Sequence, residues 1–445
     1  MADDVYEGDR IEITVGAPAH GGHCVARLDG PHGRVVFVRH ALPGERVTAE
    51  ITEIHRSYLR ADAVEIHEPS PDRVAAPCAF AHPGGCGGCD LQHVSAEAQL
   101  DWKTAVVREQ LSRLAHIPDE DQEQFFVRVE PLPGGLLGWR TRIRYAVDAA
   151  DRAGLLQHRS HQVVDVDRCL IAHPAIQELD LLARTWPASS SLQVTASGAG
   201  DVVVLERPAV PSDGPGAVSG SGSVSGSGVS DVSGVFGASG DDDLAEAPAS
   251  GLVHLAGPTT VTETVGDRSW SLRPESFWQV HPAAAATLTD AVLTMLDPRP
   301  GEISWDLYGG AGLFAAALAT RTGARTTIVE SSPPGVAAAR TGLADLPTVE
   351  VVEAKVETAL TRRRITAPVD LVVLDPPRAG AGPRVVRDVI AAAPRAVAYV
   401  ACDPAALARD LATFRKAGWR VAELRAFDCF PMTQHVECVA LLLPH

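Results

Sequence analysis

The 445-residue chain predicts a multidomain α/β protein. Three observations carry that expectation. From about residue 260 onward, apolar strands alternate with helical stretches, the pattern of a mainly parallel sheet covered on both faces. Residues 8 to about 68 hold short alternating strands broken by Gly and Pro turns, the pattern of a small β-barrel. Between them, one long helical stretch and several strands make a mixed α+β middle segment. The length suits two to three domains, and the expected bounds are 1–70, 71–259 and 260–445.

In the barrel segment, Arg10-Ile-Glu-Ile-Thr-Val15 alternates apolar and polar residues before a Gly-rich turn. Arg34-Val-Val-Phe-Val38 follows, then the Pro43-Gly44 turn, Val47-Thr-Ala-Glu-Ile51 and a last strand from Ala61 to Ile66. A helix is expected from about Ala96 to Ala115, with Leu100, Val107, Leu111 and Leu114 on one side. Strands are expected at 141–147 and 162–166. From Pro208 to about Ser250 the composition collapses into Gly, Ser, Ala and Pro, closing on Asp241-Asp-Asp243. Such a stretch buries too little apolar surface to offset chain entropy, so a disordered insertion interrupting the middle segment is expected. Further strands are expected at 303–307, 325–330, 349–353, 369–375 and 396–402, with helices between them such as 312–320 and 404–417. Two last strands, 421–427 and 437–443, follow without a helix, as an antiparallel hairpin ending the sheet would.

A net charge of −17 counts against non-specific nucleic-acid binding, which draws on Lys and Arg. The charge is uneven, however: Arg140, Arg142, Arg144, Arg152 and Arg159 cluster between Arg128 and Arg168, a run compatible with a selective RNA surface. The start shows no secretory pattern and no apolar run reaches about eighteen residues, so a cytoplasmic protein without membrane association is expected. In that compartment the eight cysteines read as metal ligands or nucleophiles rather than disulfides.

The chemistry-bearing motifs gather at expected strand ends. Asp306-Leu-Tyr308-Gly309-Gly310-Ala-Gly312 follows a strand and opens a helix, where glycines permit a tight turn and close ligand approach. Glu330 ends the next strand about twenty residues on, where an acid can bond ribose hydroxyls. Together they point to a nucleoside-containing cofactor. Asp375-Pro-Pro-Arg378 ends a further strand, and the prolines hold the acid at the crevice. Cys402 ends the fifth strand immediately before a helix, whose N-terminus is expected to lower the thiol pKa. Glu437 opens the last strand after Phe430-Pro-Met-Thr-Gln-His435, placing a carboxylate opposite the thiol.

Together these residues resemble the uracil-5-methyltransferase family of RNA-modifying enzymes over nearly the whole chain outside the insertion. The most specific pieces are Ser276-Phe-Trp-Gln279-Val, Asp375-Pro-Pro-Arg378, Tyr399-Val-Ala-Cys402-Asp-Pro-Ala-Ala-Leu-Ala-Arg409-Asp and Phe430-Pro-Met-Thr-Gln-His435-Val-Glu437. The resemblance implies a Rossmann-like catalytic sheet, Cys402 as nucleophile and Glu437 as base. It also implies that Gln279, Tyr308, Gly310, Glu330 and Asp375 hold S-adenosylmethionine. The turn order Gly21-Gly22, Asp29-Gly30, Pro43-Gly44-Glu45 resembles a TRAM domain, an RNA-binding barrel of the OB type. The implied partner is RNA, with ribosomal RNA favoured over transfer RNA, and the implied state is a monomer.

Cys78, Cys86 and Cys89 form Cys-x7-Cys-x2-Cys, with Cys169 as a distant fourth, and the spacing admits zinc or an iron–sulfur cluster. Cys86-Gly-Gly-Cys89-Asp-Leu-Gln92-His resembles the loop carrying a 4Fe–4S cluster in one branch of the family, although the first gap is longer than usual. Leu313, Lys355 and Asp403 also depart from the family pattern; relatives commonly carry Asn at the first and third of these positions. Two rivals remain at this point. One is an inactive cluster-containing RNA-binding protein, and the other an amine-directed methyltransferase of the Asp-Pro-Pro type.

Overall fold

The computed structural model describes residues 5–28, 30, 32–187, 189–209 and 251–445. The expected insertion, apart from its first two residues, lies outside them. Pro208 itself closes the strand Val202–Pro208, and the chain returns in the adjacent antiparallel strand Val253–Ala256.

The N-terminal strands form one six-stranded sheet in the order Arg10–Thr14, Arg46–Ile54, Tyr58–Glu68, Val35–Arg39, His23–Arg27, Pro18–Ala19. It closes on itself because Gly16 N donates to Val25 O (2.7 Å) and Val25 N to Ala17 O (2.9 Å). Alternation decides which side chains fill it: Val36, Val47 and Ala49 are buried, while their strand neighbours are more exposed. Strand His23–Arg27 was not expected; the glycines before it hide its short alternation.

The middle sheet is antiparallel, in the order Val163–Val164, Ala153–Leu156, Arg142–Val147, Ser189–Ala196, Val202–Pro208, Val253–Ala256. Its core is Ile143, Tyr145, Leu192 and Val194 against Ile176 and Leu181.

The C-terminal sheet has eight strands: Val349–Glu353, Thr326–Glu330, Ser304–Leu307, Leu371–Leu374, Ala396–Ala401, Glu437–Pro444, Trp419–Asp428 and Val129–Pro131. The first five run parallel, and Glu437–Pro444 runs antiparallel to both neighbours, the hairpin expected. Chain order reverses between Ser304–Leu307 and Leu371–Leu374, which opens a crevice at their carboxyl ends. The central strands are buried on both faces, so their side chains divide between two cores. Two strands end earlier than expected. The ladder stops at Leu374 and Ala401, leaving Asp375 and Cys402 just beyond it.

The eighth strand comes from the N-terminal half. Val129–Pro131 adds parallel to Trp419–Asp428, with Val129 opposite Ala426. Helix Ala96–Arg113 sends Val107 and Leu111 into the same core as Tyr399, Leu407 and Phe414. Residues expected in the middle segment thus pack against the C-terminal sheet, and three residues of strand are too few to show a period in sequence.

Candidate active site

The crevice begins at the turn after Ser304–Leu307. Tyr308 (φ 65°), Gly310 (φ 52°) and Gly312 (φ 83°) all adopt left-handed conformations, which fold the chain sharply into helix Leu313–Thr322. A Cβ on Gly312 would come within 2.5 Å of Leu343, whereas one on Gly310 would meet nothing within 4 Å. The first glycine is therefore needed for packing, and the second faces open space. Glu330 braces the turn: its carboxylate accepts from Gly310 N (2.9 Å), Ser331 N (2.7 Å) and Ser332 N (2.5 Å).

Two further carboxyls sit at the same crevice. Asp306 accepts from Ala315 N at 2.8 Å through Oδ2, while its buried Oδ1 has no partner. Burial, then Glu330, pushes its pKa up to about 7 despite that bond. Asp375 is pushed up to about 7 by burial, then by Asp306 and Glu330. Three acids with so little counter-charge suit a cationic ligand.

Cys402 and Glu437 meet across the sheet end. Ala401 pairs with Cys438, so one further step of the antiparallel register sets residue 402 opposite 437. Glu437 is 3% exposed. Burial, then Asp375, raises its carboxyl well above the usual range, with Arg378 acting the other way. The thiol also moves upward, through burial first and then Glu437, against the pull of Arg378. This corrects the expectation of a thiol acidified by the following helix. Asp403 caps that helix, Pro404–Lys416, by accepting from Ala406 N at 2.7 Å. Its carboxylate takes up the positive helix end that the thiol was expected to use, and adds a negative charge beside it.

The loops carrying these groups are pinned by buried polar side chains. Asp410 accepts from Tyr399 Oη (2.6 Å), Ala381 N (2.8 Å) and Gly382 N (3.1 Å), holding the segment after Asp375-Pro-Pro-Arg378. Lys103 donates to Asp428 at 2.5 Å and to Phe430 O at 3.0 Å, and both partners of that ion pair are buried. Met432, at φ 68°, donates its N–H to Gln99 Oε1 (2.9 Å) and accepts from Asp90 N and Leu91 N. Gln279 is carried on a segment that the middle sheet fixes: Thr141 bonds Val280 O, and Arg142 bonds Pro274 O and Ser276 O.

Comparison with known proteins agrees with this geometry. Residues 4–64 match the TRAM domain, and residues 261–444 match the tRNA (Uracil-5-)-methyltransferase family. An uncharacterized RNA methyltransferase of Streptomyces avermitilis is 46% identical, over 98% of this chain and 99% of its own. The 23S rRNA (uracil(1939)-C(5))-methyltransferase RlmD of Chromohalobacter salexigens is 34% identical, over 97% and 88%. The chain belongs to the RNA uracil-5-methyltransferase family. The fold agrees with that of the Pyrococcus abyssi tRNA (uracil-54, C5)-methyltransferase, at TM-score 0.66 and 22% identity, covering 97% of this chain and 100% of that one.

In this RNA uracil-5-methyltransferase family member, a second thiol site lies apart from the crevice. Cys78, Cys86, Cys89 and Cys169 line one cavity of ≈ 80 Å³, with Arg140 among its walls. Burial, then the neighbouring thiols Cys169 and Cys78, pushes Cys86 up to about 11, and burial raises Cys89 and Cys169 as well. Among the described residues, no three His, Cys, Asp or Glu are grouped to hold one metal ion. No helix among them is long and apolar enough to cross a membrane.

The arginine run expected to form one basic surface divides: Arg140, Arg144 and Arg168 line the cysteine cavity, and the others are taken up by acids. Arg142 is largely buried beside Glu263, Arg152 pairs with Asp148 and Asp165, and Arg128 pairs with Asp101. Sequence reasoning did not single out Lys103, Asp428, Gln99 or Asp410 as supports of the site. A lone Lys or Gln in an amphipathic helix carries no signal of the partner it will meet some three hundred residues away.

Proposed function

We propose that this enzyme forms 5-methyluridine in RNA through a transient bond between Cys402 Sγ and C6 of the target uracil. The carrying observation is that the register brings Cys402 and Glu437 together at the crevice, where the three acids await a cation. An amine-directed reaction has no use for that thiol and carboxylate.

S-Adenosylmethionine, when bound, would supply the electrophilic methyl group, its S–CH3 bond breaking to leave the neutral thioether, and a positive charge. Glu330 still has acceptor capacity for ribose hydroxyls beyond its three backbone donors. The unpartnered Asp306 Oδ1, Asp375 and the open side of Gly310 fit the cationic and backbone-contacting parts of that cofactor; Tyr308, in the same turn as Gly310, and Gln279 complete the proposed set. The Cys402 thiolate adds to C6 and moves electron density to C5 and O4, so that C5 can accept a methyl group. The Glu437 carboxylate then takes the C5 proton, the C5–C6 double bond re-forms, and the C6–S bond breaks to return the thiolate. Both groups are held protonated by burial in the free protein, so cofactor charge assists their ionisation. The target base must leave its stack to enter.

The four-cysteine cavity fits a 4Fe–4S cluster. Zinc needs thiolates converging on one point at about 2.3 Å, whereas thiols lining a cavity of ≈ 80 Å³ suit a polynuclear centre. Residues 1–70 serve as the RNA-binding barrel and 260–445 as the catalytic part. Ribosomal RNA is the favoured substrate on the likeness to RlmD over 97% of the chain.

The test is trapping. RNA carrying 5-fluorouridine should form a denaturation-resistant adduct mapped to Cys402, since fluorine replaces the proton that Glu437 must remove. No adduct from wild-type protein with methyl donor and a substrate RNA would end the covalent reading. Mapping 5-methyluridine in ribosomal and transfer RNA of a deletion strain separates the two substrates.

A further inference from the structure

A turn of the barrel touches the catalytic domain beside the proposed nucleophile. His20 Nε2 lies 3.0 Å from Asp403 Oδ2, and both side chains are mostly buried. Asp403 Oδ1 is already committed to Ala406 N at 2.7 Å, so its two oxygens have separate partners from separate parts of the chain. The next residue of the turn, Gly21, donates its N–H to Gln434 Oε1 at 3.2 Å. Gln434 N in turn donates to Asp90 at 3.1 Å, three residues before Glu437. One turn of the barrel therefore holds both the residue after Cys402 and the segment before Glu437. A Cβ at Gly22 would lie 2.8 Å from Asp90, so the turn cannot seat this closely with a larger residue there.

We propose that His20 is a positioning residue for methyl transfer: its hydrogen bond to Asp403 fixes the helix-capping carboxylate and draws its charge away from Cys402. This rests on Cys402 being the nucleophile. Asp403 is held below the usual carboxylate range: burial opposes this, but the bond and charge of His20, the Ala406 N–H and Arg409 outweigh it. An ionised carboxylate only accepts, so Nε2–H is the donor.

The charged and titratable groups facing this cluster come from several elements. Glu437, Asp375 and Asp403 each favour the protonated thiol of Cys402, and Arg378 favours the thiolate. Cys438 feels Glu437, Asp403 and Cys402, and His23 lies within the field of His20. Of the groups acting on Cys402, Asp403 is the one that the barrel controls. Its charge is what the His20 hydrogen bond offsets.

The experiment is the pH profile of Cys402 alkylation by iodoacetamide, read by peptide mass spectrometry on the full chain without RNA or methyl donor. His20→Ala should slow alkylation at pH 8 by about 3–10-fold, moving the profile up by about half to one pH unit. Asp403→Asn keeps the cap and removes the charge, so it should speed alkylation by a similar factor. Adding His20→Ala to Asp403→Asn should then change nothing further, and His20→Gln should restore part of the wild-type rate. Equal slowing by His20→Ala with and without the Asp403 carboxylate would overturn the proposal, as would an unchanged profile in a folded His20→Ala protein. Should His20→Ala melt, Asp403→Asn decides alone, and no gain in thiol reactivity counts against the idea. Because the readout is thiol chemistry, it is separable from the trapping experiment. Failure to trap indicts the nucleophile, whereas failure here indicts only His20.

Discussion

Two thiol sites in this protein differ in surroundings more than in residue type. At the crevice, Cys402 stands among Glu437, Asp375 and Asp403 with Arg378 as counter-charge, and the buried Cys438 lies beside it. At the cavity, four cysteines face one another with Arg140 in the wall. Burial pushes the thiols upward in both places. What differs is the relief available. A lone thiolate beside acids needs an incoming cationic ligand and a base, which suits a reaction that makes and breaks a bond. Four thiols around a cavity would gain relief together from the proposed cluster, which suits permanence. The sites are also joined: Asp90 and Leu91, immediately after Cys89, donate to Met432 O in the loop that leads to Glu437. Trp139, Ile171, Val280 and Met432 pack between them, with Cys89 and Cys169 at their edge.

The sharpest way to break this division is Cys402→Ala. It should lower 5-methyluridine formation by about four orders of magnitude or more while leaving the iron of the proposed cluster unchanged; retained turnover would erase the distinction. Glu437→Gln should cost about 10²–10⁴-fold in product release, and the C6 adduct should accumulate on gels of unmodified substrate RNA. Lys103→Met tests the support rather than the chemistry. It strands Asp428 as a buried unpaired charge, so denaturant unfolding should report a loss of about 3–5 kcal/mol. On the proposed cluster, Cys86→Ser should reduce bound iron and visible absorbance, and slow methylation by roughly tenfold as the Met432 contacts slacken. It should leave Cys402 alkylation at the wild-type rate; a matching loss of thiol reactivity would mean the two sites are one.

The smallest effect concerns pH. Asp306 and Asp375 carry folded-state pKa values raised to about 7. Since the folded state then binds more protons than the unfolded chain between about pH 4 and 7, apoprotein stability should fall as pH rises through that window. A cationic cofactor relieves the charged form. The melting shift given by S-adenosylmethionine should therefore be larger at pH 8 than at pH 5.5, by about 2–5 °C. Equal shifts at both values would remove the acids from cofactor binding.

Much of this was legible in the chain. The alternation of apolar strands and helices placed the C-terminal sheet to within a few residues, because each strand buried on both faces needs an unbroken apolar run. Pro376 and Pro404, which cannot donate to a ladder, marked where Asp375 and Cys402 would emerge. Local chemistry of that kind is written in neighbouring residues. What the tertiary structure alone decided is long-range: Lys103 reaching Asp428, Val129–Pro131 joining a sheet begun far downstream, and His20 reaching Asp403. It also reversed the thiol: burial, then Glu437, raises Cys402, and the helix end expected to acidify it is occupied by Asp403. Periodicity and turn chemistry report which face of an element is apolar. They say nothing about how deeply a group will be buried or which distant polar atom will lie within 3 Å of it, and at this site burial first, then those partners, sets the electrostatics.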